Sequence, residues 1–197
     1  MKKRKYVIII PARFGSTRLP GKPLVILKGI PIIQRTYQRC IKVLPKNDVY
    51  VATDSKKIKD FCLKNSMNYI MTSKSCLTGT DRVAEASKKI NSEFYMNIQG
   101  DEPFFSVKDI KKLINISKKF PKLVLNGFTE IKNKKQYFSR NVPKVVFNKN
   151  NELLYMSRSP IPGNKKDKFT KAWRQVCGYI IPRKKLMKFY SFKKKSN

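Results

Sequence analysis

Three fixed cations, Arg13, Arg18 and Lys22, fall within ten positions of one another, in a segment that also holds Gly15, Ser16, Thr17 and Gly21. A polyphosphate needs this combination. Glycines let backbone N–H groups approach phosphate oxygens, hydroxyls donate to them, and guanidinium and ammonium groups keep their charge at neutral pH. The spacing departs from the two common phosphate loops: Lys22 is followed by Pro23 rather than Ser or Thr, and no GxGxxG occurs. The same composition would also suit an ordinary surface loop in a basic protein.

A second chemical group lies in Gln99-Gly100-Asp101-Glu102, directly after the strand-like run Phe94 to Ile98. Acids number 12 in 197 residues, so an Asp-Glu pair at a strand end stands out. A carboxylate there, facing the basic turn, could hold a magnesium ion that a triphosphate also ligates. Its alternative use, capping the helix that starts near Ser106, is better filled by Ser106 itself. A third group is Leu77 to Arg82, leading into an amphipathic helix with Val83, Ala84 and Ala86 on or near its buried side. That places Gly79 and Thr80 at a helix N-terminus, where anions and polar ligand groups are favoured, although a simple capped helix gives the same pattern.

Composition removes several other chemistries. With no histidine anywhere, His-dependent triads, histidine bases and histidine metal sites are excluded. Cys40, Cys62, Cys76 and Cys177 show no CxxC or metal spacing and suit reduced, mostly buried thiols. The net charge of +33 would attract polyanions. Lysines are nevertheless spread over nearly every segment without an arginine-rich or aromatic-interleaved motif, which argues against a specific nucleic-acid surface. No run reaches the length of a membrane span, and Pro11 and Arg13 interrupt the apolar run after MKKRK before it forms a signal sequence; the expected location is cytoplasmic, with no membrane insertion.

The elements that must position these groups read as one α/β domain over residues 1–197. Tyr6 to Ile10 is a strand buried on both faces, ended by Pro11. A helix opens at Pro31 and closes before Pro45. Val49 to Ala52, a helix capped by Asp54 or Ser55, and a short strand at Tyr69 to Met71 continue the strand–helix rhythm. This predicts an open, mostly parallel, Rossmann-like sheet with ligands at the carboxyl ends of its strands. A further strand is expected at Leu123 to Leu125. Val142 to Phe147 and Leu153 to Met156 flank Asn148-Lys149-Asn150-Asn151 as a small β-hairpin extension. Lys165 to Lys171 form a loop, Val176 to Ile181 a last strand and Lys184 to Phe192 a basic helix.

Residues 11–24, PARFGSTRLPGKPL, closely resemble the first signature of the 3-deoxy-manno-octulosonate (Kdo) cytidylyltransferases, a family of sugar nucleotidyltransferases. Thr78-Gly79-Thr80-Asp81-Arg82 and Asn97-Ile98-Gln99-Gly100-Asp101-Glu102-Pro103 resemble two more signatures in the same order, and Ser157-Arg158-Ser159-Pro160-Ile161-Pro162 resembles the family's SR-x-x-IP element. The resemblance runs from Tyr6 to about Tyr190 and thins after Val145.

It implies a nucleotidyltransferase fold and transfer of CMP from CTP to the anomeric hydroxyl of Kdo, with pyrophosphate leaving, for lipopolysaccharide synthesis. By the resemblance, Ala12, Arg13, Arg18 and Lys22 would hold the triphosphate, with Arg13 and Lys22 neutralising it during reaction. Gly79, Thr80 and Arg82 would lie at the cytosine and ribose. Asp101 would bind Mg2+, and Gln99, Arg158, Gln175 and Tyr179 would contact the sugar acid, Arg158 through its carboxylate. The family also implies a homodimer to which the Val142 to Met156 hairpin contributes.

Two departures stand against this pattern. The family's second metal-binding aspartate lies in a C-terminal GVDTPEDL-like element, whereas the last acid here is Asp167, so the chain is expected to lack that segment. At Gln175 to Ile181 the commoner family pattern is HLGIYGY, with histidine at the Gln175 position and tyrosine at the Ile181 position. The acceptor could therefore be a related octulosonate or nonulosonate, and an inert nucleotide- or nucleic-acid-binding relative is the alternative of another class.

Overall fold

The computed structural model describes residues 4–15 and 19–192. The length predicts one domain; the chain clusters into two compact units, 1–125 with 178–197, and 126–177.

The first unit begins with β1 (Arg4–Ala12), a short antiparallel pair β2 (Ile26–Leu27) and β3 (Ile30–Pro31), and α1 (Ile32–Cys40). It continues through β4 (Val49–Thr53), α2 (Lys56–Lys64), β5 (Tyr69–Met71), α3 (Gly79–Ser87), β6 (Ser92–Ile98) and α4 (Val107–Lys119). Parallel pairing gives the strand order β5-β4-β1-β6. Val7 to Ile10 are fully buried, as a strand covered on both faces requires. Val7 and Ile9 pack with Val83, Ala84 and Ala86 of α3. On the opposite face, the Tyr6 hydroxyl meets Ser117 of α4 at 2.9 Å.

Pro11 does not end the first strand, which runs on through Ala12. Pairing of β1 with β6 stops at Ile9, whereas pairing with β4 continues through Pro11 and Ala12. The missing proline N–H thus falls where one ladder has already finished, and the Pro11 carbonyl still accepts from Gly100 N at 3.3 Å. Ser55, not Asp54, caps α2 by accepting from Ile58 N. Ser106 caps α4 as expected.

The second unit contains the rest of β7 (Leu125–Glu130), α5 (Lys134–Phe138), β8 (Lys144–Phe147), β9 (Leu153–Ser157) and the first half of β10 (Trp173–Pro182). The strand expected at Leu123 to Leu125 is displaced: Leu123 and Val124 are exposed and β7 starts at Leu125. Its following residues, LNGFTE, mix polar side chains with Gly127 and so lack the apolar run that marked the other strands. The hairpin is present, with β8 and β9 antiparallel and Asn148 N bonded to Glu152 O at 3.0 Å. It is one part of a unit with its own core of Ile131, Tyr137 and Ala172.

β10 passes from the second unit into the first, where Gly178 to Pro182 pair antiparallel with β6. The chain then enters α6 (Arg183–Ser191). Gly178 lies against the ring of Phe105, and any side chain at this position would overlap that ring.

Candidate active site

β1 has β4 on one side and β6 on the other, so successive connections leave it in opposite directions and open a crevice beyond its carboxyl end. A cleft of about 310 Å³ lies there, wholly within the first unit. Its walls come from three places: the turn after β1, the turn after β6 and the N-terminus of α3. Ala12, Arg13, Lys22, Gly79, Arg82, Gln99 and Asp101 all line it. The three separated sequence groups therefore meet.

The turn after β1 is shaped by Gly21, whose φ of 70° lies in the left-handed region that glycine adopts without strain. Gly21 N bonds to Phe14 O at 2.8 Å, closing the turn, and Leu24 N bonds to Gly21 O at 2.8 Å. The short helical turn Lys22–Leu24 then lifts Lys22 over the cleft. Its Nζ is 2.5 Å from Asp101 Oδ2, with both side chains about 40% exposed (39% and 44%). Arg13 is exposed. Arg18 lies outside the described residues.

At the α3 N-terminus, Thr78 and Asp81 form a capping box: Thr78 Oγ1 accepts from Asp81 N at 3.2 Å, and the Asp81 carboxylate accepts from Thr78 N at 2.8 Å. Gly79 is needed for close approach. A Cβ at this position would stand 3.1 Å from both terminal atoms of Gln99 and 3.2 Å from Pro11 Cγ. Gln99 Nε2 donates to Asn97 Oδ1 at 3.2 Å, and Asn97 Nδ2 donates to Thr80 Oγ1 at 3.4 Å. Thr80 thus belongs to the polar network that holds Gln99.

Arg82 borders the cleft in a different way. Its side chain is 3% exposed; Nη2 pairs with Asp54 Oδ2 at 2.9 Å, while Nη1 donates to Thr72 Oγ1 at 2.5 Å and to Ser73 O at 3.4 Å. These bonds tie the first turn of α3 to the carboxyl ends of β4 and β5.

Leu19, Pro23, Leu77 and Thr78 lie within the segments that the sequence singled out but received no role there, and Cys76 lies outside those segments. The T-x-x-D spacing of Thr78 and Asp81 was the available signal for Thr78. Cys76 donates to Glu85 Oε2 at 3.1 Å, and burial together with that carboxylate pushes its thiol up to about 12. It is therefore protonated at neutral pH and is no nucleophile.

The other expected sugar contacts are divided by the unit boundary. Tyr179 belongs to the first unit, and Arg158 and Gln175 belong to the second. Arg158 is exposed, with Nη1 donating to Arg140 O at 2.9 Å, while Gln175 is 7% exposed.

Among the described residues no group of three or more acids, cysteines or histidines could hold a metal ion by itself. Among the described residues lining the cleft, Asp101 is the one carboxylate. This suits magnesium, which commonly takes one or two protein carboxylates and completes its shell with phosphate oxygens and water.

An open, mostly parallel sheet with a basic turn and one carboxylate at its switch point defines a nucleotidyltransferase-like α/β protein, and residues 7–196 match the cytidylyltransferase family. The 3-deoxy-manno-octulosonate cytidylyltransferase of Thermodesulfovibrio yellowstonii is 41% identical over 175 residues, covering 85% of this chain and 68% of that protein. The enzyme of the same name from Flavobacterium johnsoniae is 35% identical over 196 residues, covering 98% of this chain and 80% of that protein. A solved structure of CMP:2-keto-3-deoxy-manno-octonic acid synthetase complexed with CTP superposes with a TM-score of 0.87 at 34% identity, over 97% of this chain and 79% of that one. The chain belongs to the 3-deoxy-manno-octulosonate cytidylyltransferase family. It spans about two thirds of the length of several of these relatives, 68% for the Thermodesulfovibrio protein and 64% for one from Escherichia coli.

Proposed function

We propose that this chain transfers CMP from CTP to the anomeric hydroxyl of 3-deoxy-manno-octulosonate in the cytoplasm. The hydroxyl oxygen bonds to the α-phosphorus, the bond from that phosphorus to the bridging oxygen of the β-phosphate breaks, pyrophosphate leaves, and the hydroxyl proton passes to solvent. The observation that carries this reading is the cleft in which Arg13, Lys22 and Asp101 converge beside the α3 N-terminus.

Binding charge is the protein's main task in such a transfer. Arg13 and Lys22 neutralise the triphosphate. Lys22 exchanges its ion pair with Asp101 for phosphate oxygens, which leaves Asp101 available as the protein ligand of magnesium. When bound, magnesium would neutralise further phosphate charge and polarise the α-phosphoryl group. Gln99, fixed against Gly79, offers its amide to the sugar, and Arg158 offers the bidentate guanidinium that a sugar carboxylate favours. Gln175 and Tyr179 are assigned to the same sugar.

The turn at Gly79 and Thr80, assigned to the cytosine, should present backbone groups that fit cytosine and exclude a purine by size. In a thermal-shift series with magnesium, CTP should raise the melting temperature at concentrations where ATP has little effect. Equal responses to the two nucleotides would count against the assignment.

Pairing of two copies through the β8–β9 hairpin is part of the proposal. Leu153, Leu154 and Tyr155 are exposed in succession on β9, at 54%, 64% and 63%. Leu154→Lys should then give monomers in sedimentation where the parent chain gives dimers; a monomeric parent, or a dimeric variant, would sink the pairing.

A further inference from the structure

Lys144 on β8 holds its amino group in an unusual place. Its side chain is fully buried, and its ammonium donates to three backbone carbonyls, those of Ser139 at 2.8 Å, Val142 at 2.9 Å and Arg158 at 2.7 Å. Three donors thus meet three acceptors, which accounts for the whole hydrogen-bonding capacity of an ammonium. Burial and, to a lesser degree, the charge of Arg158 push the lysine pKa down.

The carbonyls it joins are not scattered. One belongs to Arg158 itself, just past the strand position Ser157 that pairs directly with Lys144. The other two, Ser139 and Val142, bracket Arg140, whose carbonyl accepts from Arg158 Nη1 at 2.9 Å. The Ser139 carbonyl also accepts from Val142 N at 3.2 Å, closing that bracket as a turn. One buried ammonium therefore fixes the backbone that carries the Arg158 guanidinium and the turn that aims it. Neither methionine nor leucine could do this, because the three carbonyls would be left without donors.

We propose that Lys144 is the positioning residue for Arg158, holding its guanidinium in the orientation that receives the acceptor's carboxylate. The inference rests on the assignment of Arg158 to the sugar acid made above. All four residues in the brace lie in the second unit, whereas every residue lining the cleft assigned to CTP lies in the first. The consequence is a separation of effects: loss of the brace should weaken use of the sugar acid and leave nucleotide binding alone.

The test uses the whole chain and Lys144→Gln, which retains two N–H donors, with Lys144→Met as a second variant that retains none. In magnesium-dependent pyrophosphate release, the KM for 3-deoxy-manno-octulosonate should rise roughly tenfold or more, as a small misplacement of a substrate-orienting group does. CTP affinity by calorimetry should be unchanged. In arginine-labelled protein, the Arg158 Nε–H resonance should be sharp in the parent chain and broadened in the variant. Adding Lys144→Gln to Arg158→Ala should change the KM no further, since the group being aimed is already gone.

A folded Lys144→Gln protein with an unaltered Arg158 resonance would overturn the proposal, as would independent, additive effects of the two substitutions. If Arg158→Ala alone leaves the sugar KM unchanged, the carboxylate assignment fails; the resonance then still decides whether Lys144 aims the guanidinium.

Discussion

Asp101→Asn should lower magnesium-dependent pyrophosphate release from CTP and 3-deoxy-manno-octulosonate by about 10²- to 10³-fold, the scale of removing one preorganised electrostatic group from a reacting centre. The substitution keeps the shape of the side chain and removes its negative charge. Among the described residues Asp101 is the acid that lines the cleft, so no second carboxylate among them takes over its work. Its ion pair with Lys22 is 2.5 Å long but lies between side chains 39% and 44% exposed, so its loss should cost about 1 kcal/mol of stability or less. The expected signature is a large fall in turnover with nearly unchanged melting. A second readout does not depend on turnover. Manganese added as a magnetic probe should be retained by the parent chain in the presence of CTP and released by Asp101→Asn. Undiminished turnover with undiminished manganese retention would remove Asp101 from the metal site.

The residues that meet in the cleft were legible in sequence because each carries a local signal. Glycines next to cations mark the turn after β1, a Thr-Gly-Thr-Asp run marks the start of α3, and an Asp-Glu pair follows an apolar strand. What could not be read was the pairing of charges. Nothing local couples Lys22 to Asp101, 79 positions away, or Arg82 to Asp54, 28 positions away. The second unit was less visible still. Its strands are short and half-exposed, as in the LNGFTE of β7, so alternation and apolar runs gave weak signals, and what stood out was the Asn-rich turn between β8 and β9 and the Ser157 to Pro162 element. Lys144 was one lysine among many in a chain of 45 cationic residues, and its burial follows from three carbonyls that only the folded unit brings together. Pro11 shows the opposite error. A rule valid for a strand paired on both sides was applied at a position where one neighbour had already stopped.

Arg82→Ala should separate a supporting residue from a binding one. The family resemblance implies Arg82 beside the nucleotide, and the residue does line the cleft, but its guanidinium is occupied by Asp54, Thr72 and Ser73. The pair is largely buried, at 3% and 19% exposure, so truncating the arginine leaves the Asp54 carboxylate poorly solvated and without its cation. Breaking such a pair from one side costs about 3 kcal/mol, discounted to the lower end of its range because Asp54 keeps some contact with water. For a chain of this size that corresponds to a fall in melting temperature of roughly 10 °C. The effect should appear without any nucleotide present. Lys22→Ala should behave in the reverse manner, losing most of the stabilisation that CTP confers while melting normally on its own, because its side chain is exposed and fills no core. Differential scanning calorimetry of both variants, with and without CTP and magnesium, checks the contrast directly. If Arg82→Ala melts with the parent chain and loses its CTP response instead, the guanidinium leaves Asp54 to reach the nucleotide, and the supporting role is wrong.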